Sequence, residues 1–265
     1  MPDSFRGQIA LITGASSGIG LELARCFAAD GWNIVLIARS EVNLRSIAKE
    51  LKQEYSVAVT SIPADLSQAD APQKIFITLH NQNLEISALV NNAGFGDYGF
   101  FHESDWEKQE QMLAVNIRAL TQLTLSLLPA MMERKDGKIL NVASTAGFFP
   151  GPLMAVYYAT KAYVISFSHA LSNELEGSGV ICTCLCPGPT ETGFQGRAQM
   201  QKSRLMHSTM MDAKTVAQLG YKGLIKGQTL VVPGSWNKLV VWAPRVFSLK
   251  HCAAIVRKSQ AQSRS

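Results

Sequence analysis

The chain has 265 residues, of which 47% are hydrophobic and 17% charged, and this composition excludes a protein that is disordered over its whole length. The formal net charge of +5 is unevenly distributed, because residues 1–196 contain 13 Lys and Arg against 19 Asp and Glu, whereas residues 197–265 contain 12 against one. Charged residues interrupt the long apolar runs and the start of the chain lacks the features of a signal peptide, so we predict a soluble, cytoplasmic protein without a transmembrane helix.

Short apolar segments alternate with longer segments of helical period from residue 8 to about residue 232. The predicted strands are 8–13, 33–38, 57–62, 88–91, 137–142, 180–186 and 229–232. The predicted helices lie near 18–30, 40–55, 68–81, 104–132, 155–177 and 213–226. Several strands are apolar throughout, as in parallel sheets that carry helices on both faces. The pattern predicts a doubly wound parallel α/β sheet of seven strands in a single domain, residues 1–235, with residues 236–265 as an extension of it.

A glycine-rich segment, residues 13–20, joins the first predicted strand to the first predicted helix and reads TGASSGIG. Glycines allow a tight turn that comes close to a pyrophosphate, which the free N–H groups of the following helix can bind. The spacing differs from GxGxxG, and the absence of Gly-Lys-Ser/Thr argues against a nucleotide-triphosphate loop. By itself, such a turn is weak evidence for dinucleotide binding.

Further motifs follow the glycine turn along the chain. They are, in order, NNAG at 91–94, Asn116, Ser144, the YxxxK motif of Tyr157 and Lys161, and Pro187-Gly188. Tyr157 follows Ser144 by 13 residues. Together with the glycine turn, these motifs resemble the classical short-chain dehydrogenase/reductase (SDR) family over about residues 6–232. The resemblance implies a Rossmann fold and a catalytic set of Asn116, Ser144, Tyr157 and Lys161, in which Asn116 supports a water relay to the lysine.

Tyr157 and Lys161 are four residues apart on one predicted helix and therefore lie on the same helix face. A fixed ammonium favours a phenolate, so we expect Lys161 to lower the pKa of Tyr157. Tyr157 would then donate a proton to a substrate carbonyl oxygen that Ser144 holds. Tyr158 also lies within reach of Lys161, but it misses the 13-residue spacing, and we assign it to packing or to the pocket wall.

The cofactor is predicted from the end of the second strand, where an acidic residue would bind an unmodified adenosine ribose. That position reads Ala38-Arg39-Ser40, and a guanidinium suits a 2′-phosphate, so we predict NADP(H) in preference to NAD(H). The alternative is that Arg39 is a solvated surface residue. The resemblance implies cofactor contacts from Gly14, Ser16, Ser17, Gly18, Ile19, Gly20, Arg39, Asp65, Leu66, Asn92, Ala93, Gly94, Tyr157, Lys161, Pro187, Gly188, Thr190 and Thr192.

The resemblance places the substrate pocket between Ser144 and Tyr157 and in a lid at about residues 189–212. The apolar candidates are Phe148, Phe149, Leu153, Met154, Phe194, Met200, Leu205, Met206, Met210 and Met211, with Phe149, Met154 and Phe194 as the selected pocket residues. Methionines and aromatics suit a bulky apolar ketone or acyl chain, although a core or subunit-contact role is an almost equal alternative. The five histidines show no metal-ligand spacing, so we predict no metal.

The carboxy-terminal extension is basic and contains Trp236 and Trp242. It resembles a DltE-like branch of the family. A dimer contact or a brace for the lid is the simpler interpretation, and peripheral contact with an anionic membrane is the alternative. Nucleic-acid binding is not expected, because the segment contains no known nucleic-acid-binding motif.

These patterns together predict an NADPH-dependent oxidoreductase that reduces a hydrophobic ketone, aldehyde or 3-oxoacyl compound to an alcohol. Oxidation of an alcohol is the alternative direction, since the same residues serve both. A redox sensor that binds NADP(H) without catalysis is a further alternative, which the intact catalytic set disfavours. The family resemblance implies a homodimer or homotetramer.

Overall fold

The computed structural model of the chain describes residues 5–194, 198 and 210–261. Its main sheet contains β1 (Ile9–Thr13), β2 (Asn33–Ala38), β3 (Val59–Pro63), β4 (Ile86–Asn91), β5 (Gly137–Val142), β6 (Val180–Leu185) and β9 (Leu230–Val231). These seven strands are all parallel and lie in the order β3-β2-β1-β4-β5-β6-β9. Two short strands, β7 (Thr190–Glu191) and β8 (Met211–Asp212), form a second small sheet that the sequence did not predict.

Helices cover both faces of the main sheet. The described residues form α1 (Gly18–Ala29), α2 (Glu41–Tyr55), α3 (Ala71–Asn81), α4 (Trp106–Leu113), α5 (Leu120–Arg134), α6 (Ala155–Glu174), α7 (Ala213–Ile225), α8 (Ser235–Val240), α9 (Ala243–Val246) and α10 (Leu249–Gln260). Of these, α1, α2 and α7 pack on one face of the sheet, and α3, α5 and α6 pack on the other. Short 3-10 turns occur at Phe101–Glu103 and Thr145–Phe148. The predicted doubly wound fold with seven parallel strands is confirmed.

Alternate side chains of the strands supply two separate cores. Ile12 and Leu36 point to one face, where they pack with α1, α2 and α7. Leu11 and Ile37 point to the other face, where they pack with α3, α5 and the end of α6. This alternation explains why the strands are apolar throughout. Because both faces are covered, the carboxyl edge of the sheet is where a ligand can reach the strand ends.

The predicted helix 104–132 is interrupted in the structure. A π-helical turn, Ala114–Ala119, joins α4 to α5 and carries the buried Asn116. The segment Trp106–Arg134 has 29 residues, and an 18-residue window within it has a mean hydropathy of 1.2, so by length and composition alone it could span a membrane. Its side chains Leu123, Leu127 and Met131 are buried against the sheet, and this core packing accounts for the apolar composition.

Candidate active site

A cleft of about 1400 Å³ opens at the carboxyl ends of β1, β4, β5 and β6. The strand order reverses between β1 and β4, and a crevice forms at such a switch point because the connections leave the two strands in opposite directions. One end of the cleft is lined by the glycine turn and the other by α6 and the C-terminal helices. The cleft therefore joins the predicted cofactor residues to the predicted catalytic ones.

The glycine turn is held in a shape that side chains would block. Gly14 and Gly18 have φ values of +65° and +57°, which residues with a Cβ rarely adopt. A Cβ on Gly14 would lie 2.8 Å from Asn92 Nδ2, and one on Gly20 would lie 2.4 Å from the same atom. The N-cap of α1, Ser17, makes no side-chain capping hydrogen bond, and the first turn of the helix contains no acidic residue. The free N–H groups and the bare backbone fit a dinucleotide pyrophosphate.

Asn92 fixes the glycine turn against the end of β4. Its Nδ2 donates to the carbonyl oxygens of Thr13 at 2.9 Å and Gly14 at 3.2 Å. The hydroxyl of Thr13 in turn accepts from the backbone N–H groups of Asn92 and Ala93, both at 3.0 Å. The side-chain amide of Asn92 thus braces the turn, and Asn92 also lines the wall of the cleft.

The nucleoside end of the cleft carries Arg39 and Asp65. Arg39 is exposed directly after β2, and in the described part of the chain no carboxylate is ion-paired with it. Asp65 Oδ1 accepts from the N–H and hydroxyl of Ser67 at 3.0 and 2.8 Å, which shapes the turn after β3. A free guanidinium at the cleft rim is suited to a phosphate, so the donor set fits NADP(H).

Asn116 is bound on all sides by protein. Its Nδ2 donates to the carbonyl oxygen of Phe95 and to Thr160 Oγ1, both at 3.0 Å, and its Oδ1 accepts from Phe95 N–H at 3.1 Å. Thr160 lies on the catalytic helix α6, and its hydroxyl donates to the carbonyl oxygen of Tyr157 at 2.7 Å. Asn116 does not line the cleft; the structure gives it the geometry of a brace between α6 and the loop after β4.

Ser144 and Tyr157 meet in the cleft. Ser144 follows β5 and begins the turn Thr145–Phe148, where its Oγ accepts from Ala146 N–H at 3.1 Å. The same Oγ donates to the carbonyl oxygen of Pro187 at 3.4 Å. Ser144 also favours the phenolate of Tyr157 and so acts to lower its pKa. Burial has the larger effect, and it raises the pKa of Tyr157. Tyr157 is therefore held as a neutral phenol, the form that can donate a proton.

Lys161 lies one helical turn after Tyr157 and is buried. Its Nζ donates to the carbonyl oxygen of Val142 at 2.9 Å and lies 5.8 Å from the centre of the Tyr157 ring. Burial lowers the pKa of Lys161 to about 8. Burial raises the pKa of Tyr157 in this structure, and the Lys161 ammonium is bound to the carbonyl oxygen of Val142. The predicted effect of Lys161 on the pKa of Tyr157 stays a prediction.

The other predicted cofactor residues, with one exception, line the cleft. The exception is Gly20, which is buried under the turn, where a Cβ would also lie 2.4 Å from the carbonyl oxygen of Gly14. Gly20 is needed for packing of α1 against the turn. Among the described residues, no three His, Cys, Asp or Glu side chains are grouped as ligands for a metal ion.

The substrate end of the cleft contains the three selected pocket residues, Phe149, Met154 and Phe194, as well as Met210 and Met211. Phe194 lies 5.2 Å from Tyr157 between ring centres. Two of the wider candidates were wrong. Phe148 packs into the core beside Val164, and Leu153 adopts a left-handed turn and accepts from Gly99 N–H. Met200, Leu205 and Met206 lie outside the described residues.

The C-terminal helices form a wall of the cleft, a role that the sequence motifs did not specify. The cleft-lining residues of α10 are Cys252, Ile255, Val256, Ser259 and Gln260, of which Ile255 lies at the exposed edge. Their spacing of three and four residues is that of one helix face, so the period could have identified the face but not the surface it covers. Helix α8 contributes Trp236 and Asn237 beside Gly188.

Gln260 anchors this wall to the catalytic helix. Its side chain is fully buried, and its Nε2 donates to the hydroxyl of Tyr158 at 2.5 Å. The backbone carbonyl oxygen of Gln260 accepts from the hydroxyl of Tyr98 at 2.6 Å. Arg257, one turn earlier, lies 4.7 Å from the centre of the Phe100 ring. Tyr158 therefore belongs to the pocket wall, which is one of the two roles that the sequence analysis considered for it.

Comparison with known proteins agrees with this geometry. The family model for short chain dehydrogenases matches residues 8–203. The very-long-chain 3-oxoacyl-CoA reductase-A of Danio rerio is 40% identical over 185 residues, which are 68% of this chain and 57% of that protein. Several curated relatives are longer, and this chain spans 52% to 63% of their length.

Two solved structures extend the likeness to almost the whole chain. A short-chain dehydrogenase from Sphingobium yanoikuyae in complex with NADPH is 31% identical, with a TM-score of 0.81 over 97% of this chain and 98% of that one. The bulky-bulky ketone specific alcohol dehydrogenase from Comamonas testosteroni is 28% identical, with a TM-score of 0.76 over 97% and 96%. The fold, the motifs and these matches together place the chain in the classical short-chain dehydrogenase/reductase family of oxidoreductases.

Proposed function

We propose that this protein is an NADPH-dependent reductase that converts a bulky, hydrophobic ketone, aldehyde or 3-oxoacyl compound to an alcohol. The observation that carries the proposal is the meeting of Ser144, Tyr157 and Lys161 in one cleft with the glycine turn. An apolar wall surrounds this catalytic group and includes Phe149, Met154 and Val256. Such a wall accepts an apolar carbonyl compound more readily than a sugar.

Three side chains of the cleft have separate roles in reducing the carbonyl group. When bound, the nicotinamide of the cofactor supplies a hydride. Ser144 holds the substrate oxygen by a hydrogen bond, and Tyr157 donates its phenolic proton to that oxygen. Lys161, with a pKa of about 8, carries the positive charge that stabilises the phenolate left behind and can restore its proton. Because Lys161 loses its proton as pH rises through about 8, the reduction rate should fall above that pH.

The preference for NADP(H) rests on Arg39. Its guanidinium has no ion-pair partner among the described residues and lies at the cleft rim directly after β2, so it is available to bind the 2′-phosphate of NADP(H). The Sphingobium relative was solved with NADPH. Cellular NADPH drives reductions, so the same residue favours reduction over oxidation.

The substrate class is supported by the relatives as well as by the wall. Many curated relatives are named very-long-chain 3-oxoacyl-CoA reductases, and one structural relative is specific for bulky-bulky ketones. Both names describe a carbonyl compound with large groups. The DltE-like branch, predicted from the extension, stays a prediction.

The experiment is a panel of carbonyl compounds assayed by the loss of NADPH absorbance. The panel contains aliphatic ketones of increasing bulk, aromatic ketones, aldehydes, a ketose sugar and 3-oxoacyl thioesters. We expect kcat/KM to rise with apolar bulk and to be small for the sugar. Turnover of the sugar in preference to every apolar ketone would contradict the proposal, as would inactivity toward the whole panel with bound NADPH.

We further propose that the chain forms a homodimer or homotetramer. Leu125 and Met132 on α5 are exposed, with 71% and 39% of their surface accessible, whereas Leu123, Leu127 and Met131 of the same helix are buried in the core. Light scattering of the purified protein tests this: a mass of one chain at micromolar concentration would reject the oligomer.

A further inference from the structure

Large exposed apolar side chains are concentrated beside the mouth of the cleft. In the described part of the chain, ten of the sixteen such side chains lie in two segments, residues 100–106 and 236–255. The second segment carries seven of them, which we name the mouth patch: Trp236, Leu239, Trp242, Val246, Phe247, Leu249 and Ile255. Trp236, Phe247 and Ile255 also line the cleft, so the mouth patch borders its opening. Apolar surface of this extent beside a cleft marks an interaction site.

Positive charge accompanies the mouth patch. Asp212 is the last acidic residue of the sequence, and residues 213–265 contain no Asp or Glu. Lys238, Lys250 and Lys258 are exposed on α8 and α10, two of the helices that carry the mouth patch. Tryptophans at the level of the headgroups, with lysines beside them, are the combination by which proteins bind the surface of an anionic bilayer.

We propose that the mouth patch docks the protein on an anionic lipid surface, with the cleft opening toward the bilayer. Two acidic residues, Asp105 and Glu107, line the cleft at the start of α4, whereas α8 to α10 contain no Asp or Glu. The lipid contact is therefore centred on α8 to α10. A two-fold contact between two mouth patches would set basic helices against each other, and this repulsion favours a bilayer over a second copy of the chain.

Docking in this orientation identifies the source of the substrate. A carbonyl compound with a long apolar part dissolves in the bilayer and would enter the cleft along Trp236, Phe247 and Ile255 without crossing water. The substrate is then a membrane-resident amphiphile. This step rests on the proposed reductase function, whereas docking itself does not.

The first experiment is sedimentation of the full chain with phosphatidylcholine vesicles, with and without phosphatidylglycerol. The test variant is Lys238→Gln/Lys250→Gln/Lys258→Gln, and the control is Lys49→Gln/Lys52→Gln/Lys226→Gln, which removes the same charge from other exposed helical and loop positions. Each lysine near an anionic surface contributes about fivefold in affinity, so the test variant should bind about 100-fold more weakly. The control should bind as the unmodified protein does, and binding should weaken with salt.

The second experiment follows tryptophan emission during vesicle binding. The emission should shift to shorter wavelength, and Trp236→Phe with Trp242→Phe should remove most of the shift, whereas Trp106→Phe should keep it. Failure of the unmodified protein to bind anionic vesicles, or equal binding by the two lysine variants, would overturn the proposal. A change in solution mass of the test variant without any change in vesicle binding would assign the mouth patch to self-association instead.

Reduction of a water-soluble ketone without vesicles separates the two proposals. The test variant should keep the activity of the unmodified protein, because its lysines lie outside the cleft lining. An unmodified protein that sediments with anionic vesicles but reduces no carbonyl compound would reject the reductase and leave the docking in place.

Discussion

The glycine turn and the C-terminal helices line the same cleft but are held in different ways. The turn is fixed by backbone and by Asn92, so closely that a Cβ on Gly14 or Gly20 has no space. Helix α10 is anchored through a few side chains, above all Gln260, while Leu249 and Ile255 on the same helix remain exposed. The cofactor side therefore tolerates little change of shape, whereas single substitutions can alter the substrate side without disturbing the sheet.

The family match ends between these two regions of the cleft: it includes the cofactor side and stops before the C-terminal helices. The matched residues, 8–203, include the glycine turn and the catalytic helix, whereas α8 to α10 follow later in the chain. A shared cofactor site with a variable wall is how one fold serves many substrates. Substitutions on the catalytic and cofactor side should accordingly act on all substrates alike, and those in α10 should act on some more than others.

The largest effect is expected for Tyr157→Phe, which keeps the ring but removes the proton donor. Turnover should fall by about 10²-fold to 10⁴-fold for every carbonyl compound, while NADPH still binds. Tyr158→Phe is the matched control, because its ring lies 6.1 Å away and its hydroxyl faces Gln260. Steady-state kinetics and a cofactor titration measure both. An active Tyr157→Phe beside an inactive Tyr158→Phe would reverse the assignment.

Lys161→Met should lower the reduction rate, though by less than Tyr157→Phe does, and should also change how stability depends on pH. Burial lowers the pKa of Lys161 from 10.5 to about 8, so between these values the unfolded chain binds more protons than the folded one. The free energy of unfolding of the unmodified protein should therefore rise with pH relative to the variant, by about 3 kcal/mol in total. Denaturant titrations from pH 7 to 10.5 measure this difference. For Lys49→Met, at an exposed site, the free energy of unfolding should change with pH as it does in the unmodified protein. If Lys161→Met also showed the pH dependence of the unmodified protein, the Lys161 ammonium would not be desolvated.

Arg39→Asp tests the cofactor side directly. The unmodified protein should bind NADPH more tightly than NADH, and the variant should weaken NADPH binding by about 10-fold to 100-fold because a phosphate loses its partner and meets a like charge. NADH binding should be kept or improved. Arg45→Asp is the control, since Arg45 is exposed and paired with Glu41 on α2. Equal dissociation constants for the two cofactors in the unmodified protein would contradict the preference.

The residues predicted for the cofactor side, apart from Gly20, line one cleft, and the structure shows why they come together. Buried parallel strands require continuous apolar runs, and a turn near a pyrophosphate requires glycine, so both leave local signals. The motifs at 91–94, Ser144 and Pro187-Gly188 follow β4, β5 and β6, whose carboxyl ends meet at one edge of the sheet. The strand order therefore brings these motifs together at one edge of the sheet.

Other features depend on contacts between distant residues, and local patterns do not contain them. The π-helical turn places Asn116 against Phe95 and Thr160, which are 21 and 44 residues away. The raised pKa of Tyr157 results from burial by surrounding elements, which spacing alone does not reveal. The inward face of α10 has a readable helical period, but the contact of Gln260 with Tyr158 spans 102 residues.

The smallest effect, and the one that should depend on the substrate, is expected for Gln260→Leu. The variant keeps the size of the side chain but removes the donor to Tyr158, whose buried hydroxyl then lacks that partner. The loss of about 1 kcal/mol should loosen α10 and raise KM for bulky ketones about fivefold, while kcat/KM for a small ketone stays unchanged. Gln53→Leu, at an exposed position of α2, is the control and should change neither value. Limited proteolysis should cut α10 faster in Gln260→Leu alone. An equal rise of KM for small and bulky ketones would mean that Gln260 acts on the whole cleft, and the contrast between its two walls would not hold.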